Sequence, residues 1–222
     1  MSSLKLVESF VSINGEGQMA GALALFLRFA GCNLRCDWCD TSWANEKDTK
    51  YELASISRLC GIARQAIEQQ GVKCVTLTGG EPLLQEGIGE LIEALTKLGL
   101  RVEIETNGSV DIAPFMKRCR PVFTVDYKLP SSKMERHMFT DNIALLKDWD
   151  SLKFVCGSVQ DLNRAAQIIE QYKPQCRVFL SPVFGRIDPA DMVEFMKEHK
   201  LGSARLQLQL HKIIWHPDAR GV

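Results

Sequence analysis

Cys32, Cys36 and Cys39 fall within the run AGCNLRCDWCDT, and their number bears on the chemistry. A closed tetrahedral zinc site takes four protein ligands, whereas three thiolates on one short loop can hold three irons of a 4Fe-4S cube and leave the fourth iron free for chemistry. Zinc stays open if His137, His199, His211 or His216 supplies a fourth ligand. A redox pair at Cys36 and Cys39 stays open too, although it leaves Cys32 unexplained. A second segment with chemical content is TGGEP, from Thr78 to Pro82. Its adjacent glycines let a backbone approach a ligand without a Cβ in the way, and Glu81 can accept from a cationic amine. Alone, the same residues also describe a tight turn.

Both segments follow short β-branched stretches. Such stretches, alternating with longer ones of helical period, predict repeated β-α units around a parallel sheet. The strands are expected near 23–29, 74–78, 101–105, 122–126, 152–156, 177–181 and 205–209. Helices are expected over about 52–70, 86–98, 112–118, 139–148, 159–172 and 189–199. Gly71 and Gly99 mark the ends of the first two helices, and Asp188-Pro189 marks the start of the last. The polar stretches 44–51 and 129–138 read as flexible loops.

Splitting the strands by their period of two separates two faces. Leu25, Leu27, Val75, Leu77, Val102, Ile104, Val125, Tyr127, Phe154, Cys156, Leu206 and Leu208 form an apolar side for the helices. Arg28, Thr76, Thr78, Glu103, Glu105, Asp126, Lys128, Lys153, Ser181, Gln207, Gln209 and His211 share the other. Polar groups are costly to bury unpaired, so this side faces a ligand cavity or, in an open sheet, solvent. Covered parallel sheets favour the cavity, with the site at the strand C-terminal ends.

With 222 residues and 45% hydrophobic content, the chain can bury a core as a single domain over 1–222 without disulfide staples. Cys60, Cys74, Cys119, Cys156 and Cys176 are scattered singly, and Lys5 and Glu8 interrupt any secretory signal, so the expectation is a cytoplasmic protein with reduced thiols. The longest apolar run, 22–29, is broken by Arg28 and is too short to span a membrane. Lysine plus arginine balances aspartate plus glutamate at 27 each, leaving no basic field for nucleic acid. Lys117, Arg118 and Arg120 read as a solvated helix end. A small-molecule substrate is the expectation.

CxxxCxxC with Trp38 before the last cysteine, together with VTLTGGEP, resembles the signature of the radical S-adenosylmethionine superfamily. That resemblance implies an α/β fold, a partial (β/α) barrel of six to seven parallel strands forming the radical S-adenosylmethionine core. It also implies that the open iron chelates S-adenosylmethionine, whose one-electron cleavage yields a 5′-deoxyadenosyl radical. SINGEG (12–17), Arg28, IETNG and the terminal QLHK narrow the match, and nearly the whole chain closely resembles the 7-carboxy-7-deazaguanine synthase family of queuosine and 7-deazapurine biosynthesis. The implied reaction takes 6-carboxy-5,6,7,8-tetrahydropterin to 7-carboxy-7-deazaguanine with loss of ammonia, regenerating S-adenosylmethionine and using Mg2+.

By position, the resemblance makes Cys32, Cys36 and Cys39 the cluster ligands and gives Thr41 the Mg2+. A threonine there could equally cap the next segment. The implied cofactor contacts are Trp38, Asp40, Gly80, Glu81, Glu105, Asp126, Tyr127, Lys128 and Ser181. For the substrate they are Ile13, Asn14, Gly15, Glu16, Arg28, Thr78 and His211, from N- and C-terminal segments that close on the pterin. Members often carry Gln where this chain has Asn14, and many carry Ser-Pro in place of Asp126-Tyr127. The planar fork of Arg28 suits a substrate carboxylate, with an ion pair to Glu103 or Glu105 as the structural alternative. Thr78 could simply pack in its strand, and His211 could be a surface or core histidine. The tail KIIWHPDARGV brings a terminal carboxylate on Val222 that in some members reaches substrate.

Relatives imply a homodimer and an electron donor such as a flavodoxin or ferredoxin. Two competing functions use parts of the same pattern. A glycyl-radical activase would need a protein partner and no magnesium, and a zinc-binding adaptor would be colourless.

Overall fold

The computed structural model describes residues 3–117 and 120–222. Arg118 and Cys119, which belong to the expected 112–118 helix, the basic group and the scattered cysteines, lie outside the described residues. Nine strands there form one sheet: β1 (Ser3–Ile13), β2 (Leu23–Phe29), β3 (Glu52–Ser55), β4 (Cys74–Gly79), β5 (Arg101–Thr106), β6 (Val122–Tyr127), β7 (Ser151–Cys156), β8 (Arg177–Pro182) and β9 (Ala204–Leu206), in the spatial order β3-β1-β2-β4-β5-β6-β7-β8-β9. From β2 to β9 every pairing is parallel, giving the seven parallel strands expected for a partial (β/α) barrel. The helices are α1 (Ile56–Gln70), α2 (Ile88–Lys97), α3 (Ala113–Met116), α4 (Asn142–Leu145), α5 (Val159–Tyr172), α6 (Pro189–Glu198) and α7 (Leu210–Ile214).

The apolar strand face packs as its period demands. Leu25, Leu27, Val75, Leu77, Val102, Ile104, Val125, Tyr127, Phe154 and Cys156 join one continuous core with Leu59 of α1, Leu91 and Leu95 of α2, Leu162 of α5 and Met192 of α6. Helix ends follow local chemistry. The Ser55 hydroxyl accepts from Arg58 N–H at 3.2 Å to start α1, and Gly71 ends it in the left-handed region at φ 68°. Asp188 caps α6 through Ala190 N–H at 2.8 Å, with Pro189 in the first turn.

Two antiparallel strands at the N-terminal edge are absent from the periodic reading, and a bulge is the cause. The register of β1 on β2 shifts between Leu6 and Glu8. Leu4 and Leu6 consequently enter the helix-side core, whereas Glu8 and Phe10 two and four residues on face the opposite side. With β1 unseen its partner is invisible too, and residues 52–55 are strand β3, paired with Ser3–Leu6, rather than the first turn of a helix.

Other expectations need correction. The strand expected over 205–209 stops at Leu206 because Gln207 turns to the N-terminal loop, accepting from Gly17 N–H at 2.7 Å and donating to Gly17 C=O at 2.9 Å. Leu208 is therefore exposed instead of packed on helices. The 139–148 helix shrinks to the single turn of α4, where Asn142 bridges Ile112 N–H and Val110 C=O. Residues 129–138 are two 3-10 turns around the fully buried Ser132 rather than a featureless loop. Glu103 pairs with Arg101 at 2.8 Å and does not line the cavity at the strand C-terminal ends, and Arg120 is held by Asp150 at 2.6 Å. No helix among the described residues is long and apolar enough to cross a membrane.

Candidate active site

The polar face opens on a cavity of about 790 Å³ at the C-terminal ends of the parallel strands. β2 brings Arg28, β4 Thr78, β5 Glu105, β6 Asp126 and β7 Lys153, all by the same alternation that buries their neighbours in the core, and Gly79 at the end of β4 adds backbone to the wall. Cys32, Cys36 and Cys39 line one wall, on the loop leaving β2.

That loop is fastened by backbone. Gly80 N–H donates to Phe29 C=O at 3.0 Å and Glu81 N–H to Gly31 C=O at 2.8 Å, extending the β2–β4 pairing into the stem of the cysteine loop. A Cβ on Gly79, whose φ is 133°, would run into Phe29 backbone; one on Gly80 would meet Gly31 C=O and the Asn45 side chain. The glycine pair is thus required first by the approach of two chain segments, and both glycines then also border the ligand space. Cys32 Sγ accepts from Leu34 N–H and Asn107 Nδ2, each at 3.4 Å, the kind of contact that tunes a cluster sulfur. Burial pushes the Cys36 and Cys39 thiols up, so a bound metal must drive their deprotonation. Among the described residues no three His, Cys, Asp or Glu side chains converge on one point to hold a single ion. A cube makes no such demand, since each thiolate takes a different iron, and the three-thiol loop fits it.

Two lysines and three carboxylates form the centre of the cavity. Lys128 Nζ lies 3.0 Å from Asp126 Oδ2 and over the Trp38 ring at 5.3 Å. Lys153 Nζ lies 3.1 Å from Glu16 Oε2 and 3.2 Å from Asp126 Oδ1, the latter outside hydrogen-bond geometry. Thr78 donates to Glu105 Oε2 at 2.8 Å. Burial raises Glu105, against the pull of Lys153 and the Thr78 hydroxyl. Burial works on Asp126 in the same sense, but the two lysines outweigh it and leave this carboxylate below its ordinary range. Both lysines stay charged, because burial is overcome mainly by Asp126. Glu16 Oε1 is buried and has no partner among the described residues, as expected of an atom awaiting a ligand.

The chain termini close the remaining sides. Leu210 N–H donates to Gly15 C=O at 3.1 Å, and the His211 ring occupies the space a Cβ on Gly15 would take. Burial lowers the His211 pKa, so the ring favours its neutral form. Residues 217–222 turn back to the cavity, where Val222 joins the lining and the Arg220 guanidinium sits 4.2 Å from the Trp43 ring centre. Arg28 pairs with Glu8 of β1 at 2.7 Å, not with Glu103 or Glu105, between the Phe10 and Trp43 rings at 5.9 Å each. Thr41 stands before a 3-10 turn without capping it, and its hydroxyl donates to Asp40 Oδ1 at 2.7 Å.

Ile13, Gly15, Glu16, Arg28, Trp38, Asp40, Thr41, Thr78, Gly80, Glu105, Asp126, Lys128 and His211 thus meet the three cysteines in one cavity. Four expected residues do not. Asn14 is buried in the β1–β2 connection, its N–H and C=O bonded to Ala22 and Gly21 and its side chain to Thr76. Glu81 is fully buried and faces protein, accepting from Leu83 N–H at 3.1 Å, Thr106 Oγ1 at 2.8 Å and Asn107 N–H at 2.7 Å. Tyr127 lies in the helix-side core, as its strand period requires, with its hydroxyl on Glu135. Ser181 is fully buried with an unpartnered hydroxyl but does not reach the cavity wall. The sequence reading missed Glu8, Phe10, Trp43, Asn45 and Asn107 in the lining. Asn107 had a visible signal in IETNG, whereas Glu8 and Phe10 could be found only by recognising the bulge.

The radical SAM superfamily model matches residues 27–198. Over 222 residues the chain is 53% identical to 7-carboxy-7-deazaguanine synthase of Clostridium acetobutylicum, covering 98% of this chain and 99% of that protein. It is 36% identical to the 7-carboxy-7-deazaguanine synthase of Chlorobaculum tepidum, covering 99% and 97%. The crystal structure of QueE from Escherichia coli superposes with a TM-score of 0.71 at 25% identity, covering 93% of this chain and 94% of that one. Streptococcus suis SuiB bound to S-adenosylmethionine shares the fold, with a TM-score of 0.57 at 18% identity and coverage of 82% and 51%.

Proposed function

Because this chain belongs to the radical S-adenosylmethionine superfamily and, within it, to the 7-carboxy-7-deazaguanine synthases, we propose that it contracts the ring of 6-carboxy-5,6,7,8-tetrahydropterin to 7-carboxy-7-deazaguanine, releasing ammonia. The observation that carries this is convergence: three cysteine thiols, the Gly79-Gly80 turn, Arg28 and a Glu16 carboxylate oxygen without a partner border one cavity. The activase and zinc-adaptor alternatives give way to relatives that match along the whole chain and carry the synthase name.

Cys32, Cys36 and Cys39 hold the cluster, with Gly80, Trp38, Asp40, Glu105, Asp126 and Lys128 around S-adenosylmethionine. When bound, these groups supply one electron and a hydrogen-abstracting carbon radical. Glu81 acts from behind, holding the Gly80 turn through its three protein hydrogen bonds. Tyr127 faces protein instead, with its hydroxyl on Glu135 and its ring against Phe154, and the Ser181 hydroxyl is buried behind the cavity wall. Arg28 takes the substrate carboxylate, with Glu8 setting the plane of its guanidinium. Glu16 Oε1 accepts from the N–H edge of the pterin, Thr78 adds a hydroxyl, and Ile13, Gly15 and His211 close over the ring. Asn14 shapes the turn that carries them. Thr41, whose hydroxyl no cap engages, offers an oxygen to Mg2+ beside Asp40.

The chain works as one domain over 1–222, with substrate-contacting terminal segments, in the cytoplasm, as a homodimer reduced by a flavodoxin or ferredoxin. Its balanced charge suits a small substrate rather than nucleic acid. Anaerobic incubation with the pterin, S-adenosylmethionine, Mg2+ and a reductant tests the reaction. Brown protein that forms 7-carboxy-7-deazaguanine, more slowly without Mg2+, is expected; brown protein that leaves the pterin intact overturns it.

A further inference from the structure

Lys153 is a charged side chain at the centre of the cavity to which neither the resemblance nor the comparisons give a role. It stands on β7, 5% exposed, and the groups around its ammonium are carboxylates from three separate parts of the chain. Glu16 comes from the N-terminal segment after β1, and Asp126 from β6, where it also holds Lys128. Glu105 on β5 adds to the field that keeps Lys153 protonated.

The two close contacts meet at one ammonium, so Lys153 joins the N-terminal segment to β6. Lys153 and Gln209, whose Nε2 lies 3.2 Å away, both engage Glu16 Oε2 and leave Oε1 without a partner among the described residues. Its other close carboxylate, Asp126, belongs to the Asp126-Lys128 pair on the Trp38 side, next to the cysteine loop. Without Lys153, Glu16, Glu105 and Asp126 would share the cavity with Lys128 as their near cation, and mutual repulsion would turn Glu16 outward.

We propose that Lys153 is a positioning residue that ties the substrate-reading carboxylate of Glu16 to the cofactor-side carboxylate of Asp126, so that each ligand firms the seat of the other. This rests on the pterin reading of the site. Energetic coupling of this kind is reciprocal and is measured as a ratio of affinities.

The test is equilibrium binding to the cluster-loaded protein without reductant, so that no turnover occurs. The Kd of 6-carboxytetrahydropterin is measured with and without S-adenosylmethionine, and the Kd of S-adenosylmethionine with and without the pterin. In the wild type each ligand should tighten the other by roughly fivefold or more. In Lys153→Met that factor should fall to about one, and pterin Kd should rise by roughly tenfold. If burying three carboxylates unfolds this variant, Lys153→Met combined with Asp126→Asn removes the excess charge, and it too should lose the coupling. Coupling that persists in a folded Lys153 variant overturns the inference alone. Wild-type protein that binds S-adenosylmethionine but not the pterin overturns the substrate reading and the inference together.

Discussion

The cavity has two ends built in different ways. At the cofactor end, position is set by backbone: Gly80 and Glu81 N–H groups reach the carbonyls of Phe29 and Gly31, prolonging a parallel strand pair from the middle of the sheet. At the substrate end, position is set by side chains and by both termini, with Glu8 on Arg28, Gln207 on Gly17, His211 over Gly15 and Arg220 over Trp43. Backbone pairing tolerates almost no added atom. Side-chain pairing tolerates change by small steps, and a substrate site can be adjusted there without disturbing the cluster.

The sharpest way to break this contrast is Gly80→Ala. The new methyl would meet the Gly31 carbonyl, part of the stem of the cysteine loop, and shift the thiols. Displacement of about 1 Å at a reacting group costs on the order of 100-fold. Product formation should fall at least that far and iron content should drop with it, while overall unfolding stability changes much less. A variant that loads its cluster normally would mean that the loop is not fixed by this approach.

Glu81 sharpens the same comparison through pH. Burial pushes its pKa up to about 7 from 4.5, against the donors Asn107 N–H, Leu83 N–H and Thr106 hydroxyl. A carboxyl whose pKa is higher folded than unfolded holds its proton longer in the native state. Its contribution to stability therefore declines as pH rises from 4.5 through about 7, by about 3 kcal/mol in all. Urea unfolding of the metal-free protein at about pH 5 and about pH 7.5 should show this decline, and Glu81→Gln should remove it. His211, lowered by burial, acts with the opposite sign, losing stability as pH falls below 6.5, and cancels when the two proteins are compared.

The same division decides what could be read in advance. CxxxCxxC and TGGEP are compact in sequence and sit at the ends of strands whose alternation is regular, so the cysteine loop, Gly80 and the polar strand positions were legible. The seven parallel strands were legible for the same reason. Side-chain direction was less so: Glu81 looks free in sequence, yet its carboxylate turns back to three protein donors. Tyr127 shows strand period overruling position in a motif, since alternation sends it to the core. The bulge after Leu6 breaks the alternation of β1 and hides Glu8, which is why the structural alternative for Arg28 names Glu103 or Glu105 instead. The tail has no hydrophobic period, and its return to the cavity depends on contacts such as Arg220 on Trp43.

Arg220→Ala is the smallest expected effect and the one that separates the two ends most cleanly. Trp43 lines the cavity between two guanidiniums, with Arg28 at 5.9 Å and Arg220 at 4.2 Å. A cation over an indole face at an accessible site contributes about 0.5–1 kcal/mol, equivalent to roughly two- to fivefold in affinity. Since Arg220 is exposed and outside the core, its loss should raise KM for the pterin by that factor. Cluster content, kcat and unfolding stability should stay at wild-type values, because Arg220 rests on the Trp43 ring and takes no part in the Gly80–Phe29 and Glu81–Gly31 hydrogen bonds that fasten the cysteine loop. An unchanged KM would mean that the tail merely rests against a finished site. A fall in iron content would mean that the two ends are mechanically joined, and that the backbone-built end is less independent of the tail than its hydrogen bonds imply.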